Sequence, residues 1–240
     1  MTIKDRLRNV IPESVIALSR PPRTLLRHGL AAAATRTRLR RLRASGQSLF
    51  LELGPGGRPL SSPWIGIDSS GFADLTWDLR RSLPLATGSV SGIYSSHVLE
   101  HFTLTQLQNL LRECRRVLNS DGFFMCAVPN AGRYVQAFTD DAVLEELLRN
   151  VGTSEYCVTG SPMDLLNMTA YMHGQHRTMF DSGYLCGLLR NAGFAYAAPR
   201  PCDPRFDLPE RDWESLYAFA GSRPFEQCEQ NIAAAEPKTR

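Results

Sequence analysis

What the 240-residue chain lacks narrows its class before any motif is considered. It has no CxxC pair and no dense cysteine framework: Cys114, Cys126, Cys157, Cys186, Cys202 and Cys228 are scattered. Such spacing suits reduced thiols in a cytoplasmic protein, not disulfide staples, and it offers no cysteine metal site. It lacks an apolar run of the roughly 18 to 20 residues that a bilayer crossing needs, because Arg, Asp, Glu, Asn or Gln interrupts every long one. No membrane span is expected. No internal repeat is present, which argues against a solenoid. With hydrophobic residues at 43% and charged ones at 21%, collagen-like and wholly disordered readings also fail. The length suits one domain with a terminal extension.

Charge is unevenly placed. Residues 1 to 45 hold eleven Lys and Arg against Asp5 and Glu13, a net of +9 in a chain whose total is +3, so the remaining residues carry −6. This basic arm should be helical, with a short apolar face at Val10, Ile11, Val15, Ile16 and Leu18, then Pro21-Pro22, then a second helix over Thr24 to Leu42. On that second helix Arg36, Arg40 and Arg43 share one face and Leu39 and Leu42 another. The arm suits an acidic surface, a peripheral membrane contact or a second subunit, or simply a solvated helix. An organellar transit peptide has a similar Arg-rich composition, but Glu13 and the paired prolines weaken that reading, and no cleavable secretion signal is evident.

From Ser48 the texture changes. SLFLEL (48–53), WIGID (64–68), LTWDL (75–79), SGIYS (91–95) and FFMCAV (123–128) read as buried strands bounded by Gly, Pro, Ser or Asp. Leucines at helical spacing over 104–118 predict an amphipathic crossover helix, and Asp181 or Ser182 caps another that carries Leu185, Leu188 and Leu189. Residues 194–198 and 216–220 are the last candidate strands. Alternating strands and helices predict an α/β fold, with ligands outside the carboxyl ends of the strands. Residues 131–175 break the alternation with one clear helix (Val143, Leu144, Leu147, Leu148), so they read as an insertion over the ligand face. The domain is expected to run from 46 to 222, and 223–240 to be a flexible tail.

The first strand runs into Glu52-Leu53-Gly54-Pro55-Gly56-Gly57-Arg58. Glycines there let a backbone approach a ligand closely. The dinucleotide fingerprint would need glycine where Pro59 stands, and no Gly-Lys-Ser/Thr follows to make a P-loop. Instead Asp68 closes the second strand and Asp78 sits in the third. A carboxylate at the second tip can accept both ribose hydroxyls, and one at the third an adenine amine. Glu52 adds negative charge that repels a diphosphate and welcomes a sulfonium or ammonium cation. The expected ligand is adenosine with a positive tail, a description that fits S-adenosyl-L-methionine.

These blocks, together with DLRRSLP (78–84), IYSSHVLEHF (93–102) and ECRRVLNSDGFFMCAVPN (113–130), resemble the class I S-adenosylmethionine-dependent methyltransferases, in particular the type 11-like branch. The resemblance implies a Rossmann-like, doubly wound, mostly parallel seven-stranded sheet, with an abbreviated first helix and a helical insertion after strand five. Only ten residues, Gly54 to Pro63, separate the first two strands, whereas a parallel crossover usually takes about a dozen. By the same resemblance Glu52, Gly54 and Gly56 line the methionine end of the cofactor and Asp68 the ribose. Asp78 with the Leu79 backbone takes the adenine, and Ser96 and His97 lie beneath the cofactor. Arg58 departs from the family's third glycine.

His97-Val98-Leu99-Glu100-His101 also spells the HxxEH of inverted zincins, but it begins where a strand ends, and no metal is expected there. His173, His176 and Arg177 form a polar cluster before the capped helix and are candidates for substrate contact; the branch commonly has an HR pair there, matched by His176-Arg177. If the acceptor is a hydroxyl, a histidine is the natural general base, and His101 and His176 are the catalytic candidates. The fourth strand does not end in Asn/Asp-Pro-Pro-aromatic, which disfavours methylation of nucleobase amines. The leading expectation is O-methylation of a small-molecule or glycan acceptor. An RNA methyltransferase using the arm is a rival, although stacking aromatics are lacking there. A non-catalytic cofactor-binding scaffold is another.

Overall fold

A computed structural model describes residues 22–44, 46–56, 59–69, 73–152 and 154–237, with the side chains of 22–29 and Arg43 left aside. The first apolar segment of the basic arm, with the transit-peptide reading, lies outside the described residues.

Seven strands form one sheet: β1 (Phe50–Leu53), β2 (Trp64–Asp68), β3 (Leu75–Thr76), β4 (Val90–Ser96), β5 (Leu118–Pro129), β6 (Tyr196–Arg200) and β7 (Ser215–Gly221). Their order is β3-β2-β1-β4-β5-β7-β6. The first five pair in parallel, whereas β7 runs antiparallel to both β5 and β6. The strand order reverses at the β1–β4 junction, and the carboxyl ends of these two parallel strands open the crevice where such sheets hold ligands.

Side-chain alternation sorts the strands into two cores. Leu51, Leu53, Ile93, Phe124, Cys126 and Val128 face one side, under α2 (Leu104–Val117) and α6 (Ser182–Asn191). Phe50, Trp64, Tyr94, Phe123, Met125 and Phe219 face the other and form a mostly aromatic layer. The expected starts of both helices hold. Thr103 and Gln106 make a reciprocal capping box for α2, and Asp181 accepts from Tyr184 N at 2.7 Å to cap α6.

Three expectations about extent need correction. The helix of the basic arm, α1 (Pro22–Ala44), is not wholly an appendage: Leu39 is buried in the first core, Thr35 Oγ1 donates to Thr76 O at 3.0 Å, and Arg38 pairs with Asp74. The region after Gly221 is not a loose tail either. A 3₁₀ turn (Phe225–Cys228) and α7 (Glu229–Ala234) bury Cys228, Ile232 and Ala235 in the aromatic layer, and Trp64 Nε1 donates to Ala235 O at 2.6 Å. The reason lies upstream: the β1–β2 crossover has no helix among its described residues, so this face takes its cover from the C-terminal segment. Lastly, β3 ends at Thr76, which leaves Asp78 in the loop beyond it.

The insertion contains three helices where one was expected: α3 (Ala131–Gln136), α4 (Asp141–Val151) and α5 (Pro162–Tyr171). They share a small core of Tyr134, Ala137, Leu147, Leu165 and Met168.

Candidate active site

Three cavities meet at the carboxyl edge of the sheet, and His97 lines all of them. The first, about 470 Å³, runs along Glu52, Gly54, Gly56, Tyr94 and Ser96 to Leu208 and Arg211. The second, about 410 Å³, continues from Gly54 past Asp68, Asp78 and Leu79 to His101 and Phe102. Together they make one cleft over the tips of β1, β2 and β4. The third, about 270 Å³, lies under the insertion and is lined by Glu100, His101, Tyr134, Thr169, His176 and Glu214 among others.

The glycine turn is shaped by need. Gly54 has φ +63° and donates to Ile67 O at 3.0 Å, and a Cβ on it would stand 2.5 Å from Val98 Cγ2. Gly56 is also left-handed, at φ +57°. A non-glycine residue pays about 1–2 kcal/mol for that backbone. Glu52 is buried and accepts from Leu60 N at 2.7 Å, which holds the short crossover against the first strand. At the far end Asp78 faces Arg80, which gives it three hydrogen bonds of 2.9 to 3.0 Å. Burial pushes the Asp78 carboxyl up, but the Arg80 bonds and charge outweigh that and hold it below its ordinary value. The cleft thus offers three acidic side chains, with Arg80 already on the third.

These residues fit S-adenosylmethionine: the left-handed glycine turn brings bare backbone to the wall of the cleft, and the carboxylates suit a cationic adenosine conjugate.

His97 follows β4 with φ +51°, a strained backbone for a residue with a side chain. Arg211 donates to its Nδ1 at 3.0 Å, so its proton sits on Nε2 and is shared with Ser215 Oγ at 3.0 Å. Burial, then the Arg211 charge, depress its pKa to about 3. His97 is therefore a neutral, fixed wall between cleft and cavity. Burial raises Glu100 to about 8, and its Oε2 has no hydrogen-bond partner.

The catalytic candidates His101 and His176 do come together, with ring centroids 5.1 Å apart, one exposed and one buried. The substrate candidates do not. His173 sits at φ +54° on the far side of its turn, bound to Glu155 Oε1 at 2.9 Å and packed on Tyr156, and neither it nor Arg177 lines the three cavities. The Arg177 backbone N instead donates to Glu100 O at 2.8 Å, tying the loop to the 3₁₀ turn Leu99–His101.

Sequence reasoning missed Arg211, Glu214 and Tyr134. Glu210-Arg211-Asp212-Trp213-Glu214 is a charged run just ahead of β7, and because β7 is antiparallel its beginning lies beside the carboxyl ends of its neighbours. Behind it Asp207 accepts from Tyr94 Oη at 2.9 Å and pairs with the buried Arg200, which anchors the loop that brings Leu208 and Arg211 over the cleft.

Sheet order, glycine turn and acidic tips agree with the fold that the resemblance to class I S-adenosylmethionine-dependent methyltransferases implies. The methyltransferase domain family matches residues 73–126. No curated protein matches the chain. Among solved structures it is similar to an S-adenosylmethionine-dependent methyltransferase from Thermotoga maritima described as a possible histamine N-methyltransferase (15% identity, TM-score 0.45, 84% of this chain and 93% of that one). Another is an S-adenosylmethionine-dependent methyltransferase from Archaeoglobus fulgidus (16%, 0.43, 79% and 93%). A third is the CMeT domain of the citrinin polyketide synthase (13%, 0.44, 74% of this chain), of which the chain spans about half the length, 47%. Among the described residues, no helix is long and apolar enough to cross a membrane.

Proposed function

We propose that the protein methylates a hydroxyl of a small polar acceptor, a sugar or glycan unit among them, held in the cavity under the insertion. The observation that carries this reading is the meeting of that cavity with the cofactor cleft at His97 and His101, where two imidazoles converge on the space next to the reacting end. Glu52, Gly54 and Gly56 hold the amino-acid end of the cofactor, Asp68 the ribose, and Asp78 with Leu79 the adenine end. Bound there, the cofactor supplies an activated methyl group on a sulfonium. An acceptor hydroxyl placed next to that methyl group would give its proton to the imidazole pair of His101 and His176 and on to water. The rest is positioning: His97 fixes one wall, and the insertion helices keep the acceptor side dry.

The six free thiols, four of them buried, support the cytoplasmic placement. The volume of about 270 Å³ favours a small acceptor over a polynucleotide.

The test has two stages. Calorimetric titration with S-adenosylhomocysteine should show one site per chain. Transfer of labelled methyl to hydroxylated small molecules, glycans and RNA should then select the first two. The His176→Ala variant should bind S-adenosylhomocysteine as the parent does yet transfer methyl at least tenfold more slowly. Equal transfer by parent and variant removes the acceptor assignment, and salt-sensitive transfer to RNA replaces it.

A further inference from the structure

We propose that Glu100, His101 and His176 form a binding site for a divalent first-row transition-metal ion where the cofactor cleft meets the acceptor cavity. The three side chains can each place a donor atom within 4.8 Å of the other two.

The second-sphere arrangement is what separates this cluster from chance proximity. His176 Nδ1 lies 2.6 Å from Thr169 O, and His101 Nδ1 lies 3.2 Å from Gln175 O. A carbonyl oxygen only accepts, so in both rings the proton is on Nδ1 and the Nε2 lone pair is left open. A backbone carbonyl on one ring nitrogen, fixing tautomer and orientation while the other faces the ion, is the usual support of a metal-bound histidine. The third donor is also set apart: Glu100 is 2% exposed, and its Oε2 has no hydrogen-bond partner. A buried carboxyl oxygen without a partner costs free energy, which a cation that displaces the carboxyl proton would offset.

Local charge is compatible. Arg211 reaches the same cavity, but Glu214 pairs with it, leaving the carboxylate of Glu100 to balance a cation. Ligands about 2.1 Å from a tetrahedral ion lie about 3.4 Å apart, so the cluster must tighten by up to roughly 1.4 Å from its 4.8 Å limit. His101, exposed on its short 3₁₀ turn, has the room to close that distance by a small shift that keeps its Nδ1 on Gln175 O. Two imidazoles with one carboxylate suit Zn²⁺, Mn²⁺ or Co²⁺ better than Mg²⁺, which favours oxygen, or a soft monovalent ion.

This deepens the reading given under Proposed function and rests on it. At this place a cation would bind the acceptor oxygen and make its hydroxyl more acidic, so that the proton would pass directly to water and the two imidazoles would serve as ligands in place of the base.

The test reads binding and not turnover. Full-length protein stripped with EDTA is titrated with Co²⁺, followed by visible absorption, and with Mn²⁺, followed by loss of the free-ion electron paramagnetic resonance signal. The expected result is one equivalent per chain in the parent and in His173→Ala, a histidine on the same segment outside the cluster. Glu100→Gln and His101→Ala should each weaken binding at least tenfold. Because Glu100 is buried and its variant could misfold, the exposed His101 gives the independent reading, with far-ultraviolet circular dichroism confirming the fold. Binding well below one equivalent in the parent, or equal affinity in parent and His101→Ala, overturns the site. If methyl transfer to hydroxyls persists without metal binding, only the metal proposal falls; if the ion binds stoichiometrically and no hydroxyl is methylated, only the functional reading falls.

Discussion

Gly54 sets the width of the cofactor cleft at the scale of one atom. Its positive φ and the 2.5 Å that would separate a Cβ from Val98 Cγ2 are two independent reasons for having no side chain there. Gly54→Ala should therefore lower S-adenosylhomocysteine affinity at least tenfold and destabilise the fold by about 1–2 kcal/mol. The double variant Gly54→Ala/Val98→Ala separates the two causes. Removing the valine relieves the contact but not the backbone strain, so affinity should recover only in part, and full recovery by calorimetry would show that strain contributes nothing. Arg80 is the other residue that changes an expectation, because Asp78 is already engaged by it. Under the proposed assignment, an adenine amine would approach a carboxylate that already faces a guanidinium.

Among the elements, α2 shows how the sheet edge opposite the site is held. Glu113 accepts from Leu83 N at 2.8 Å and pairs with Arg116, whose guanidinium also donates to Leu83 O and Leu85 O. The loop entering β4 is thus bound to the crossover helix by one carboxylate–guanidinium pair. The Arg116 hydrogen bonds hold Glu113 below the usual carboxylate range, against the upward push of burial. A lowered folded-state pKa gives stability that is present above the unfolded value of 4.5 and is lost as pH falls through the folded one. Glu113→Gln should cost about 1–2 kcal/mol in urea at pH 7, and the gap between parent and variant should close below about pH 4.5. A gap that stays constant down to pH 3 would show that the charge plays no part. Elements of this kind were legible in the sequence, because α2 and α6 announce themselves by leucine spacing and side-chain caps, and β1, β2 and β4 by short apolar runs. What escaped were short pieces whose formation depends on what they touch: the six-residue α3, the turn at Leu99–His101, and α7, whose apolar residues are too few to show a period. His173 illustrates the same limit for the site. Sequence proximity grouped it with His176, but across a left-handed turn the two rings take different partners, Glu155 Oε1 and Thr169 O.

On the scale of the molecule, both the site and the second core depend on chain segments distant in sequence. The acceptor cavity draws on the turn after β4, the end of β5, the insertion and the run before β7, so no single motif encodes it. The aromatic face of the sheet poses a similar problem: the crossover from β1 to β2 is too short for a covering helix, and Phe50, Trp64, Tyr94 and Phe219 need cover from elsewhere. The segment after Gly221 supplies it, with Asn231 Nδ2 and Arg223 fastening it to Asp121 and Trp64 Nε1 to Ala235 O. Truncation after Pro224 would re-expose the surface under Cys228, Ile232 and Ala235 and leave the Trp64 donor without its carbonyl. At about 25 cal/mol per Å² of apolar area and about 1 kcal/mol for the hydrogen bond, the loss should be about 4 kcal/mol. Urea unfolding followed by Trp fluorescence reads it directly, since Trp64 lies in the affected layer. A truly loose tail would leave the midpoint within the range of a surface change, about 0.5 kcal/mol. Because Tyr94 joins this layer to the cofactor cleft, the truncated chain should also bind S-adenosylhomocysteine more weakly, and undiminished affinity would mean that the cleft keeps its shape without the cover behind it.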